Sequence, residues 1–250
     1  MDIQSSSNGQ AKANSAVALQ HAPYEQPCYI SKWFDRHFIP VRDVNLWKGD
    51  NLPDVKEVSC LIIMGGPMNI YEHETYPWLI KEKKFIRQVI DNDIPVLGIC
   101  LGAQLISDVL GGTVTRLSNP EYGWVSVSRN DRATENHPFS SVIPPHLTVF
   151  QWHQDTFSIP PGSIPLFQSA ACPNQGFAYN NTVMGLQFHP ELDEDDIRMF
   201  LNLVEKDTGI THHDYPKEDI IQNISNYKEG NEFIDALLYY LNNLNKTYQL

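Results

Sequence analysis

The short apolar run Ser59–Met64 ends at Gly65-Gly66-Pro67, and Pro95–Ile99 is a second such run. A short apolar run closed by glycines is the pattern of a strand buried on both faces. Between the runs, after Pro77, the residues Leu79, Phe85, Ile86, Val89 and Ile90 recur at helical spacing. Pro77 suits a first helical turn, where its missing N–H costs nothing. Leu101 to Leu110 reads as a second helix, stopped by Gly111-Gly112. Strand, helix, strand, helix at this spacing predicts parallel pairing with right-handed crossovers.

The flanks extend this pattern and then change it. Val17–Gln20 and Val41–Leu46 read as strands, with helical spacing between them at Ile30, Phe34, His37 and Phe38. Further on, Thr113–Leu117 and Trp124–Arg129 alternate and predict antiparallel strands. Leu147–Trp152, Pro165–Ala170 and Gly176–Tyr179 add short strands, and the Asn180-Asn181 turn leads into Val183–Phe188. Asp193 caps a helix carrying Ile197, Phe200, Leu201 and Val204, and Phe233, Leu237, Leu238, Leu241 and Leu244 form one face of another. The expected fold is α/β, a three-layer sandwich around a mostly parallel sheet with a small antiparallel excursion. Residues 1–16 read as a flexible tail, 17–205 as the domain, and 206–250 as a helical extension packed on it. A chain of 250 residues, 42% of them hydrophobic, is large enough to bury such a core.

Composition removes several function classes. A net charge of −12 argues against binding nucleic acid or an anionic membrane. No stretch approaches the ~20 apolar residues of a membrane span, and the first fifteen residues lack the apolar core of a signal peptide. Four cysteines in this length do not make a disulfide framework, so a reduced, cytoplasmic setting is expected. Cys60 reads as a buried small hydrophobe, while Cys28 and Cys172 stand beside prolines without ligand spacing. Adjacent histidines point apart, so His212-His213-Asp214 predicts no metal site. No cofactor is expected.

The chemistry centres on Gly98-Ile99-Cys100-Leu101-Gly102, between a buried strand and a helix. This is a nucleophile elbow with Cys in place of Ser. A sharp strand-to-helix turn crowds the backbone, which flanking glycines relieve, and it lifts the nucleophile above the sheet edge. The sulfur then lies at a helix N-terminus, whose dipole and free N–H groups favour the thiolate. A reactive Cys needs a base, and the base an orienting group. His189, in Gln187-Phe188-His189-Pro190-Glu191, emerges from an apolar strand. Pro190 favours extended backbone, in which residues two apart share a side, so Glu191 reaches one ring nitrogen while the other faces Cys100. Backbone amides at Gly65-Gly66 and at Leu101 are candidate oxyanion donors.

Met64-Gly65-Gly66-Pro67, Gly98-Ile99-Cys100-Leu101-Gly102-Ala103-Gln104 and Gln187-Phe188-His189-Pro190-Glu191 resemble, in type, order and separation, the three signatures of class I (triad-type) glutamine amidotransferases. The resemblance covers roughly residues 17 to 205 and implies a flavodoxin-like core. It implies that Cys100 attacks the side-chain amide of glutamine, that ammonia leaves, and that water hydrolyses a γ-glutamyl thioester. By the same resemblance, Gln104 and Gly65 contact the substrate and the amides of Gly66 and Leu101 form the oxyanion hole. Phe150-Gln151-Trp152-His153-Gln154-Asp155-Thr156 is similar to stand-alone members near the glutaminase part of GMP synthases and to γ-glutamyl peptidases. Several family members carry Ser-His-Gly or Asn-His-Gly here and contact bound glutamine through this backbone. This chain has Trp152-His153-Gln154, which implies a different pocket with Trp152 and His153 as candidate lining residues, His153 equally suited to structural hydrogen bonding.

Three functions follow from these readings. One is a glutaminase feeding ammonia to a separate synthase chain, for no phosphate loop of the G-x-x-x-x-G-K type occurs. Another is a free-standing hydrolase of γ-glutamyl peptides or conjugates. The third, a non-catalytic binding module on the same scaffold, is disfavoured by an intact Cys100, His189 and Glu191.

Overall fold

The computed structural model describes residues 15–131, 137–211 and 213–247. The first half alternates strand and helix: β1 (Ser15–Gln20), α1 (Cys28–Arg36), β2 (Val41–Asn45), β3 (Val58–Ile63), α2 (Trp78–Asp91), β4 (Val96–Ile99) and α3 (Leu101–Val109). Five strands follow, β5 (Val114–Arg129), β6 (His146–Phe157), β7 (Ser163–Gln168), β8 (Gly176–Tyr179) and β9 (Val183–Leu186). The chain closes with α4 (Glu194–Thr208), α5 (Lys217–Gln222) and α6 (Tyr227–Thr247). Residues 1–14 of the expected tail, and His212, lie outside the described residues, whereas Ser15 and Ala16 already belong to β1.

All nine strands join one sheet in the order β2-β1-β3-β4-β9-β8-β7-β5-β6. The first five pair in parallel, in the 2-1-3-4-5 order of flavodoxin-like sheets. Register explains why the four strands inside the edge strand β2 are mostly apolar. Ala18, Ile62, Leu97 and Met184 form one row across the sheet, and Val17, Leu61, Val96 and Val183 form the next. The first row meets α1 and α6, through Trp33, Phe34, Phe233 and Leu237. The second meets α2 and α3, through Phe85, Ile86, Leu105 and Ile106. Each row faces its own helical layer, so neither face can carry polar residues.

The antiparallel part is larger than a small excursion. Strands β8, β7, β5 and β6 pair antiparallel and continue the same sheet. The two alternating segments expected near residues 113–129 are one strand, β5, with a register irregularity between Arg116 and Glu121. Pro120 lacks a ladder N–H, and a bulge absorbs it without ending the strand. β6 runs past Trp152 to Phe157, carrying His153 and Asp155 into the sheet. Asp193 caps α4 with a reciprocal capping box to Asp196. Among the described residues no helix is long and apolar enough to cross a membrane.

Candidate active site

Loops at the carboxyl ends of parallel strands collect at one edge of the sheet, where such sheets place their ligands. Cys100 stands there between β4 and α3, with φ 50° and ψ −105°. A non-glycine residue in such backbone geometry costs roughly 1–3 kcal/mol and persists only when its surroundings enforce it. Here the Cys100 amide donates to the Leu186 carbonyl at 2.8 Å, tying the turn to β9. The glycines let three elements cross. A Cβ on Gly98 would come within 2.6 Å of the Gly102 carbonyl carbon, and one on Gly102 would collide with the Ile63 carbonyl of β3.

His189 is held on β6 by its own backbone, whose N–H donates to the Phe150 carbonyl at 2.9 Å. Its Nδ1 lies 2.8 Å from Glu191 Oε1, and both side chains are buried. Its Nε2 makes no hydrogen bond with the described residues, and Cys100 is near enough to favour a positive charge on the ring. Burial works against a charged ring, but the Glu191 carboxylate and Cys100 outweigh it and hold the His189 pKa well above its ordinary 6.5. The C-terminal helix supports this segment, for Asn231 on α6 donates to the carbonyls of Pro190 at 2.9 Å and Leu192 at 3.1 Å.

A cleft of about 290 Å³ opens above Cys100, walled by Gly66, Met68, Leu101, Gln104, Trp152 and Asp155 among others. Cys100, Leu101, Gly66, Gln104, Trp152 and His153 therefore come together around one space. Gly65 does not line it; its carbonyl is bonded instead to buried His21. Gln104 donates to the Asp155 carbonyl at 3.1 Å, and Gln187 approaches the Cys100 sulfur at 3.6 Å. The Trp152 carbonyl stands 3.8 Å from that sulfur.

Although His153 borders the cleft, its ring is engaged elsewhere: Nδ1 meets the Asp155 carbonyl at 2.9 Å and Nε2 meets Glu121 at 3.0 Å. Glu121 also accepts from Ser169 at 2.7 Å and from Gln175 at 2.5 Å. Burial alone would raise the Glu121 pKa, but these donors together lower it. A carboxylate so satisfied belongs to the cleft wall as a structural anchor.

The sequence reading missed a polar group behind the cleft. His21, Glu25 and Glu82 are all buried, and Glu25 stands against the Cα of Gly65. The available signal was position: His21 and Glu25 directly follow a buried strand, at the edge where chemistry collects. Among the described residues no group of three or more His, Cys, Asp or Glu is placed to hold a metal ion.

The model of the class-I glutamine amidotransferase family matches residues 33–202, and this chain belongs to that family. One of the subunits of a glutamine-hydrolyzing GMP synthase from Sulfurisphaera tokodaii is 34% identical over 155 residues, which is 60% of this chain and 78% of that protein. A putative glutamine amidotransferase-like protein, YfeJ, from Salmonella typhimurium is 30% identical over 68% of this chain and 73% of its own length. The crystal structure of a glutamine amidotransferase from Thermotoga maritima matches with a TM-score of 0.81 and 29% identity, covering 91% of this chain and 97% of that one.

Proposed function

We propose that this chain hydrolyses the γ-glutamyl amide of glutamine through a thioester on Cys100. The sulfur attacks the amide carbon, and its proton passes to Nε2 of His189, which Glu191 orients through Nδ1. The tetrahedral oxyanion sits between the amides of Gly66 and Leu101. When the C–N bond breaks, His189 returns the proton to the nitrogen and ammonia departs. Water, deprotonated by His189, then attacks the thioester and frees glutamate and the thiol. Gln104, Trp152 and His153 border the glutamyl part of the substrate, and no cofactor takes part.

The observation that carries this reading is the strained Cys100 at φ 50°, beside a buried histidine whose other nitrogen lies 2.8 Å from a buried carboxylate. The name of the Sulfurisphaera tokodaii relative supports a separate synthase chain as the receiver of ammonia. A second reading, cleavage of γ-glutamyl peptides, is favoured by Arg116. This cation lines the cleft, bonded to Gln154 and 3.7 Å from the Asp155 carboxylate, and its mostly exposed guanidinium has further N–H donors for the carboxylate of a departing amino acid. Purified protein is assayed on glutamine, γ-glutamyl dipeptides and glutathione, with ammonia and glutamate read separately. Glutamate with equal ammonia from glutamine alone supports the first reading, and faster release from dipeptides the second. No turnover and no γ-glutamyl adduct on Cys100 would sink both.

A further inference from the structure

The Gly65-Gly66 turn follows β3. Its Gly65 carbonyl accepts a hydrogen bond from His21 Nδ1 at 2.9 Å, and His21 Nε2 lies 2.8 Å from Oε1 of Glu82 on α2. The His21 and Glu82 side chains are wholly buried. Each ring nitrogen therefore faces an acceptor, and a doubly protonated ring satisfies both. Burial disfavours that charge, but Glu82, then the Gly65 carbonyl and more distant Glu25, overcome it and raise the His21 pKa. None of these groups except the Gly65-Gly66 peptide belongs to the chemistry proposed above.

That peptide is where the network matters. In a planar trans peptide the carbonyl of one residue and the N–H of the next point in opposite directions. Holding the Gly65 carbonyl on His21 thus turns the Gly66 N–H away from His21. Gly66 forms part of the cleft wall with Cys100 and Leu101. It also sits wedged in place, for an added Cβ would come within 2.8 Å of the His21 Cβ and 2.7 Å of Leu101 Cδ2.

We propose that His21, braced by Glu82, is a positioning residue that sets the plane of the Gly65-Gly66 peptide and so aims the Gly66 amide at the oxyanion. The inference rests on the oxyanion role given to Gly66 above. A donor fixed before the reaction costs no reorganisation during it, which is the source of its catalytic effect. When doubly protonated, the ring also polarises the peptide it holds, strengthening the N–H at the other end.

The test compares two variants without a donor, His21→Ala and His21→Phe, with His21→Gln, whose amide can still donate to the Gly65 carbonyl. Phe keeps the ring volume if the alanine variant fails to fold. Three readings are taken. The first is kcat and KM on the best substrate. The second is inhibition by a γ-glutamyl aldehyde, whose adduct with Cys100 carries an oxyanion, beside alkylation of Cys100 by iodoacetamide, which forms none. The third is the Gly66 amide signal in a ¹⁵N–¹H spectrum, which needs no turnover.

The donor-less variants should lose about 10- to 100-fold in kcat, less than the full loss of an oxyanion donor, with KM little changed. Aldehyde affinity should fall in parallel while alkylation stays near normal, the Gly66 signal should move, and Gln should restore most of each. An unchanged Gly66 signal, or unchanged aldehyde affinity, in a folded donor-less variant overturns the proposal. Wild-type protein with no turnover and no aldehyde adduct would instead overturn the proposed function, leaving the Gly66 signal to decide whether His21 sets the turn.

Discussion

The two halves of the sheet build the site in different ways. Strands β1, β3, β4 and β9 are almost wholly buried, with Ser15, Gln20 and Ser59 their polar residues, and the polar groups of the site stand in the loops beyond their carboxyl ends. His21, Gly66, Cys100 and His189 all stand at that crest. The antiparallel half presents its own strand residues instead. Tyr122, Trp152, His153 and Asp155 line the cleft from β5 and β6, held by Glu121 and its donors. The difference teaches that the groups proposed to react depend on loop geometry at a rigid edge, whereas the wall depends on satisfying polar groups inside a sheet. Changes at the crest should therefore act on kcat, and changes in the wall on KM.

The sharpest separation comes from the crest itself. Cys100→Ser should cut turnover by ~10³-fold or more with the melting temperature nearly unchanged, because the alcohol is a much poorer nucleophile in this pairing. Near-normal turnover would remove Cys100 from the chemistry. Gly102→Ala should cost about 3 kcal/mol in stability, since its Cβ meets the Ile63 carbonyl, which cannot move without shifting β3. A denaturation midpoint equal to wild type would show that the β3, β4 and α3 crossing is looser than described.

Glu25 offers a test through pH. Burial, with Glu191 adding and His189 and His21 opposing, pushes its carboxyl from an ordinary 4.5 to about 7. The folded chain thus keeps a proton that the unfolded chain gives up above pH 4.5. Well below that pH the group costs nothing; as pH rises from 4.5 to 7 the folded state loses stability relative to a neutral side chain, and above 7 the loss is complete. Glu25→Gln should match wild type near pH 4.5 and be more stable at pH 8 by about 3 kcal/mol, taking 1.36 kcal/mol per pKa unit. A gap that does not widen with pH would mean that Glu25 is charged and paired.

The smallest effect is expected in the wall. Glu121→Gln turns one acceptor oxygen into a donor facing His153, Ser169 and Gln175, at a cost of roughly 1–2 kcal/mol. KM should rise several-fold with kcat nearly constant. A fall in kcat without a change in KM would reverse the division of labour between the two halves.

The chain by itself determined the parallel half and, at its crest, Gly66, Cys100 and His189, but not His21. Buried strands must be apolar throughout, glycines must stand where backbones cross, and a strand–Cys–helix turn has few other uses. His189-Pro190-Glu191 was legible for the same local reason, since residues two apart on an extended segment share a side. What lay beyond local pattern was decided by tertiary structure. Nothing near Glu82 or His21 in sequence indicates that they meet across 61 positions, or that Asn231 braces Pro190 from 41 positions away. Likewise β5 and β6 carry polar residues that break the alternation a strand is read from, and only pairing Glu121 opposite His153 lets them stay in the sheet. Local periodicity reports which face of an element is dry, but polar groups choose partners through space, and those choices appear only once the chain has folded.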